Sequence, residues 1–219
     1  MRRSIIALLT AVGLTLVGCA PGTPAPTVAE PADGAPVVAF YGDSYTRGTG
    51  ASSVEQRWST RISASRGWRE VNPSVNGLGF VNNRQVLGLD LPADIIASDP
   101  DIVVVTMGLN DVFSYDRVGE GIRRQIDADF ARLTEALPDA RFIVVEPFWY
   151  TAERPDGLEA IIDWVRTAAE DIDADYVPDA STWIQGRPGE MAADGLHPND
   201  AGYALIADRM DEALTRLGL

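Results

Sequence analysis

The chain has no lysine, one cysteine and one histidine among its 219 residues. A lone cysteine, Cys19, excludes an internal disulfide, so the fold must rest on its core. A lone histidine, His197, means that any chemistry using an imidazole uses this one. With so few soft ligands a zinc site is not expected. Long apolar runs are also scarce. The only extended one, Ile5 to Val17, is about 13 residues, short for a bilayer span and suited to a signal-peptide core. Positive charge is in short supply: 18 arginines face 32 acids, for a net charge of −14. Such a surface repels nucleic acid and anionic headgroups. No nucleic-acid partner is expected.

The amino terminus reads as three segments. Residues 1–19 begin with Arg2 and Arg3 and end in Leu16-Val17-Gly18-Cys19. That ending resembles the lipobox of bacterial lipoprotein signals, which implies lipidation at Cys19 and anchoring at the cell surface. The alternative is an ordinary cleaved signal and a secreted protein. Residues 20–36 hold five prolines among small residues and read as a tether, because such a composition cannot bury a core. Residues 37–219 are long enough for one domain and too short for two. A monomer is expected.

Within that domain short apolar runs alternate with amphipathic stretches. Val37–Tyr41, Ile102–Thr106 and Phe142–Val145 read as buried strands, with weaker strands at 69–75 and 176–177. Helices are expected at 54–66, capped by Ser52 or Ser53, and at 118–136, 157–171 and 199–217, the last capped by Asn199 or Asp200. Residues 82–98 read as irregular or partly helical. Strands alternating with helices give a parallel sheet covered on both faces, with ligand sites outside the carboxyl ends of the strands.

Residues suited to chemistry fall at those ends. Ser44 follows the first strand in Gly42-Asp43-Ser44-Tyr45, where a turn into a helix can present a hydroxyl and backbone N–H groups. The same serine could simply cap a helix. Asn110 follows the Ile102 strand in Gly108-Leu109-Asn110-Asp111. Its amide is a suitable donor to an oxyanion, or closes an Asx turn. Asp194 stands three residues before His197, where a carboxylate can accept the Nδ1 proton and orient the ring. A lone histidine can equally be structural. Phe148-Trp149-Tyr150 follows the Phe142 strand, and Trp183 precedes the histidine turn. Trp149, Tyr150 and Trp183 could stack on a sugar or line an acyl pocket, or could pack a loop. Asp171, Asp173 and Asp175 mimic a calcium loop, but its sixth position is Tyr176 and its twelfth Thr182, so no metal is expected there.

Taken together, Ser44, a glycine after the second strand, Asn110 and the Asp194–His197 turn resemble the SGNH branch of the GDSL hydrolase family, in order and spacing, over roughly residues 37–217. The departure is Tyr45, where many members have leucine. The resemblance implies a three-layer α/β/α, flavodoxin-like fold with five parallel strands in the order 2-1-3-4-5. It implies a cofactor-free serine hydrolase with a Ser44–His197–Asp194 triad. The oxyanion hole would be formed by Ser44, Gly77 and Asn110, with Gly79 the alternative to Gly77. Asp43 and Asp111 would be supports. The expected substrates are esters of short acyl groups on glycans or envelope metabolites. The alternatives are longer acyl chains, as in a lipase or thioesterase, and a surface domain that binds glycans without turnover.

Overall fold

A computed structural model describes residues 31–219. The signal segment, Cys19 and the first part of the tether lie outside the described residues.

Five strands form one parallel sheet: β1 (Val37–Tyr41), β2 (Arg69–Val71), β3 (Ile102–Val105), β4 (Arg141–Val145) and β5 (Asp175–Val177), in the order β2-β1-β3-β4-β5. The expected topology is the one observed. Strand periodicity sorts the core into two halves. Val38, Phe40, Ile102, Val104, Ile143 and Val145 face one layer. Ala39, Tyr41, Val103, Val105, Phe142 and Val144 face the other. The first layer is built on α1 (Ser44–Arg47), α2 (Trp58–Arg66) and α7 (Asp200–Arg216). The second contains α4 (Leu91–Ala97), α5 (Tyr115–Ala136) and most of α6 (Asp156–Asp171). A short exposed helix, α3 (Arg84–Leu87), precedes α4.

Several boundaries differ from expectation for identifiable reasons. The helix expected at 54–66 splits into a 3₁₀ turn, Val54–Gln56, and α2, because Arg57 between them is extended. Ser53 precedes the turn but makes no capping bond, and the Ser52 hydroxyl donates to Asp200 instead. Strand β2 stops at Val71, two residues before Pro73, which has no N–H to give a ladder. Helix α5 begins earlier, at Tyr115, across a non-helical Val118. Asn199 caps α7, its side chain accepting from the N–H groups of Ala201 and Gly202. Among the described residues no helix is long and apolar enough to cross a membrane.

A buried polar cluster went unpredicted. Asp129 sits on the apolar stripe of α5, only 1% exposed, between Ile126 and Phe130. It accepts from the Tyr41 hydroxyl at 2.6 Å, from Gln125 at 3.0 Å and from Arg84. Three donors satisfy a charge that would otherwise be costly to bury. Arg84 thereby fastens the segment after β2 to α5.

Candidate active site

The sheet delivers its loops to one edge. Ser44 leaves the carboxyl end of β1 as the first residue of α1 and is almost fully buried. The turn before it is fixed by Asp43, whose Oδ1 accepts the Tyr45 N–H at 2.9 Å. Asn110 lies in a 3₁₀ turn, Leu109–Ser114, at the carboxyl end of β3. Its Nδ2 donates to Asp43 Oδ2 at 3.1 Å and to the Leu78 carbonyl at 3.0 Å. The serine turn, the asparagine and the loop after β2 therefore meet at one point.

Asp111 organises that loop. Its carboxylate accepts the N–H groups of Phe80, Val81 and Asn82 at 2.6, 2.9 and 3.0 Å. The backbone comes so close that a Cβ on Gly79 would sit 2.4 Å from Asp111 Oδ2, which only glycine permits. The Gly79 N–H is itself engaged, donating to the Asn82 carbonyl at 3.0 Å. The Gly77 N–H has no acceptor among the described residues.

The far end of the chain reaches the same place. His197 Nδ1 lies 2.7 Å from Asp194 Oδ2, while Asp194 Oδ1 accepts the N–H groups of Leu196 and His197 at 2.9 and 3.0 Å. These bonds, that to the imidazole foremost, hold the Asp194 carboxyl down to about 2, although its side chain is 48% exposed. The loop is docked onto the serine segment by Tyr45, whose hydroxyl donates to the Leu196 carbonyl at 2.6 Å across 151 residues. The Tyr45 ring also packs 6.1 Å from the His197 ring, centroid to centroid. A Cβ on Gly50 would lie 2.5 Å from the Pro198 carbonyl oxygen, so the two loops touch through bare backbone. Tyr203 of α7 completes the clasp with a 2.7 Å bond from its hydroxyl to the Thr49 carbonyl.

This arrangement places a hydroxyl, a carboxylate-oriented imidazole and N–H donors from three loops at one sheet edge, the set that acyl transfer needs. Comparisons with known proteins identify the family. Residues 40–205 match the profile of the GDSL-like lipase/acylhydrolase family. The chain belongs to that family. This GDSL hydrolase is 31% identical to the GDSL lipase Rv0518 of Mycobacterium tuberculosis over 182 residues, 79% of each chain. Its fold is similar to that of the psychrotrophic esterase EstA from Pseudoalteromonas sp., with a TM-score of 0.67 and 19% identity over 83% of this chain and 97% of that one. It is also similar to Axe2, an acetylxylan esterase from Geobacillus stearothermophilus, with a TM-score of 0.62 and 19% identity over 81% of this chain and 93% of that one. The GDSL hydrolase described here is thus a carboxylic ester hydrolase of the SGNH type.

The aromatic residues separate. Trp149 is only 4% exposed and its Nε1 donates to the Glu153 carbonyl, so it packs the loop and offers no open face to a sugar. Phe148 is buried against Tyr45, with centroids 5.7 Å apart. Tyr150 lines a cavity of about 350 Å³ with Met191, Ala192, Ala193 and Gly195, against the loop that carries His197. Trp183 borders a different, more polar cavity with Arg187, Arg209 and Arg216. Asp175 of the acidic triplet is paired with Arg141, and no metal-binding cluster occurs among the described residues. The residues that sequence reasoning missed are Tyr45 and Leu78, whose roles depend on contacts between distant segments.

Proposed function

We propose that this hydrolase removes short, acetyl-type acyl groups from glycans or small envelope metabolites through a covalent acyl-Ser44 intermediate. The observation that carries the reading is the Asp194–His197 pair, docked by Tyr45 onto the segment that bears Ser44. His197 takes the Ser44 proton, and the hydroxyl oxygen attacks the ester carbonyl. The N–H groups of Ser44 and Gly77 and the Asn110 amide receive the tetrahedral oxyanion. Gly77 is preferred to Gly79 because its N–H is uncommitted. His197 then protonates the departing alcohol, and water repeats the sequence on the acyl-enzyme. The cavity beside Tyr150 and Gly195 suits the alcohol portion, since it is lined by the loop that carries the histidine. Its volume, about 350 Å³, is at the small end of ligand cavities.

A longer acyl chain is the second reading. It is favoured by exposed Val86 and Leu87 on α3 and Phe113 beside Asn110, apolar groups on two loops that Asp111 joins. A fluorophosphonate probe tests the enzyme reading: the wild type labels and Ser44→Ala does not. Equal labelling, or none of the wild type, would overturn it and favour a binding domain. Nitrophenyl esters of increasing length then separate the two substrate readings; a rate maximum at or beyond about eight carbons supports the longer chain.

The amino-terminal sequence supports export and lipid anchoring at Cys19, with residues 20–36 as the tether. Metabolic labelling with a fatty acid, lost in Cys19→Ala, is the expected result. A label that persists in the variant would leave simple secretion as the better account.

A further inference from the structure

The Asn110 side-chain amide has two N–H groups, and the structure occupies both. One donates to Asp43 Oδ2 at 3.1 Å, the other to the Leu78 carbonyl at 3.0 Å. Neither is free for an oxyanion, so one acceptor must yield when the tetrahedral species forms. The two acceptors are not alike. Asp43 is 1% exposed, sits at the end of β1 and is pinned by the Tyr45 N–H on its other oxygen. Leu78 lies between Gly77 and Gly79 in the loop after β2, and its carbonyl is neutral. When Asp43 is ionised its bond is the stronger, because a charged acceptor strengthens a hydrogen bond.

We propose that Asp43 is a positioning residue of the oxyanion hole: its carboxylate anchors one N–H of Asn110, so that the other turns from the Leu78 carbonyl to the substrate oxyanion. Resting on the reading of Asn110 as an oxyanion donor, this gives the aspartate before the nucleophile a role in transition-state binding. Asp43 touches no reacting atom and transfers no proton. The helix cap is a separate role, and the two can be divided chemically. Serine at position 43 can still accept the Tyr45 N–H, being a good N-cap, but its side chain is too short to reach Asn110.

The test compares wild type, Asp43→Ser, Asn110→Ala and the double variant on a soluble acetate ester. Displacement of a catalytic group by about 1 Å costs up to about 10² in rate. Asp43→Ser is therefore expected to lose roughly 10- to 100-fold in kcat, with KM changed less than about twofold. In the Asn110→Ala background the same substitution should cost less than about twofold, since its effect passes through Asn110. Full kcat in Asp43→Ser, or additive losses in the double variant, would overturn the proposal and leave Asp43 as a cap alone. An inactive wild type would instead end the functional reading beneath it.

A measurement on the wild type covers the case in which Asp43→Ser fails to fold. The Asn110 side-chain amide protons are assigned by NMR from their absence in Asn110→Ala, and Ser44 is then phosphonylated, which places a tetrahedral oxyanion mimic in the hole. One of the two protons is expected to shift strongly while the proton facing Asp43 stays near its resting position. Movement of both, or of neither, would overturn the proposal.

Discussion

Two aspartates serve the site from opposite surroundings. Asp43, beside the nucleophile, is 1% exposed, and burial pushes its carboxyl up to about 7. Asp194, beside the histidine, is half in solvent, and its hydrogen bonds hold it down to about 2. The difference follows from how each is held. Asp194 gathers three donors from its own turn, within three residues, so it needs no burial to be ordered. Asp43 collects its partners from the turn after β3 and from α1, and lies near a second buried carboxylate, Asp111, which also raises it. The histidine side of the site is locally assembled, and the oxyanion side depends on the tertiary fold.

The largest expected effect lies on the locally assembled side. Asp194→Asn keeps the shape of the turn but favours the wrong imidazole tautomer, and kcat should fall by about 10³–10⁴. Stopped-flow or steady-state kinetics on an acetate ester check this. A loss below about tenfold would mean that solvent replaces the exposed carboxylate. On the other side, Asn110→Ala removes one donor of the oxyanion hole, with an expected loss of about 10²–10³ in kcat. A larger loss than that of Asp194→Asn would invert the ranking of the two halves.

The contact between the halves should matter less. Tyr45→Phe deletes the hydroxyl that holds the Leu196 carbonyl and leaves that half-buried acceptor without its partner. The expected cost is about 0.5–1.5 kcal/mol of stability, read from urea unfolding. A several-fold drop in kcat should accompany it as the histidine loop loosens. Undiminished stability would show that water or another donor takes the bond.

That contact also marks the limit of what the sequence makes legible. The strands β1, β3 and β4 and the helices α5 to α7 follow from apolar runs and helical spacing, because each buries a continuous face. The segment 82–98 resists such reading: α3 buries no residue, so no periodic pattern records it. Asp194 and His197 are legible as a pair because three residues separate them. The Tyr45–Leu196 bond is not, since its partners lie 151 residues apart. The occupied amide of Asn110 is equally hidden, because the acceptor on one side is a backbone carbonyl, and every residue has one. Asp129 alone left a signal, a carboxylate on the apolar stripe of α5 that pattern reading passed over.

Stability against pH should also set the two aspartates apart, with opposite sign. Asp43 titrates near 7 in the folded protein and near 4 when unfolded. Between those values the native state holds a proton that the unfolded chain has released. Its contribution to stability is therefore lost as pH rises from about 4 to about 7. Asp194 titrates near 2 when folded, so its contribution is present above about 4 and disappears as pH falls towards 2. Its exposure keeps that contribution small. Urea titrations at intervals between about pH 2 and about pH 8 should show Asp43→Asn gaining on the wild type as pH rises through the first window. Asp194→Asn should be slightly less stable at neutral pH and approach the wild type as pH falls through the second. Parallel curves for Asp43→Asn and the wild type would mean that the buried carboxylate finds enough hydrogen-bonding to titrate like one in water, and the contrast between the two halves would then rest on assembly alone, without a difference in charge.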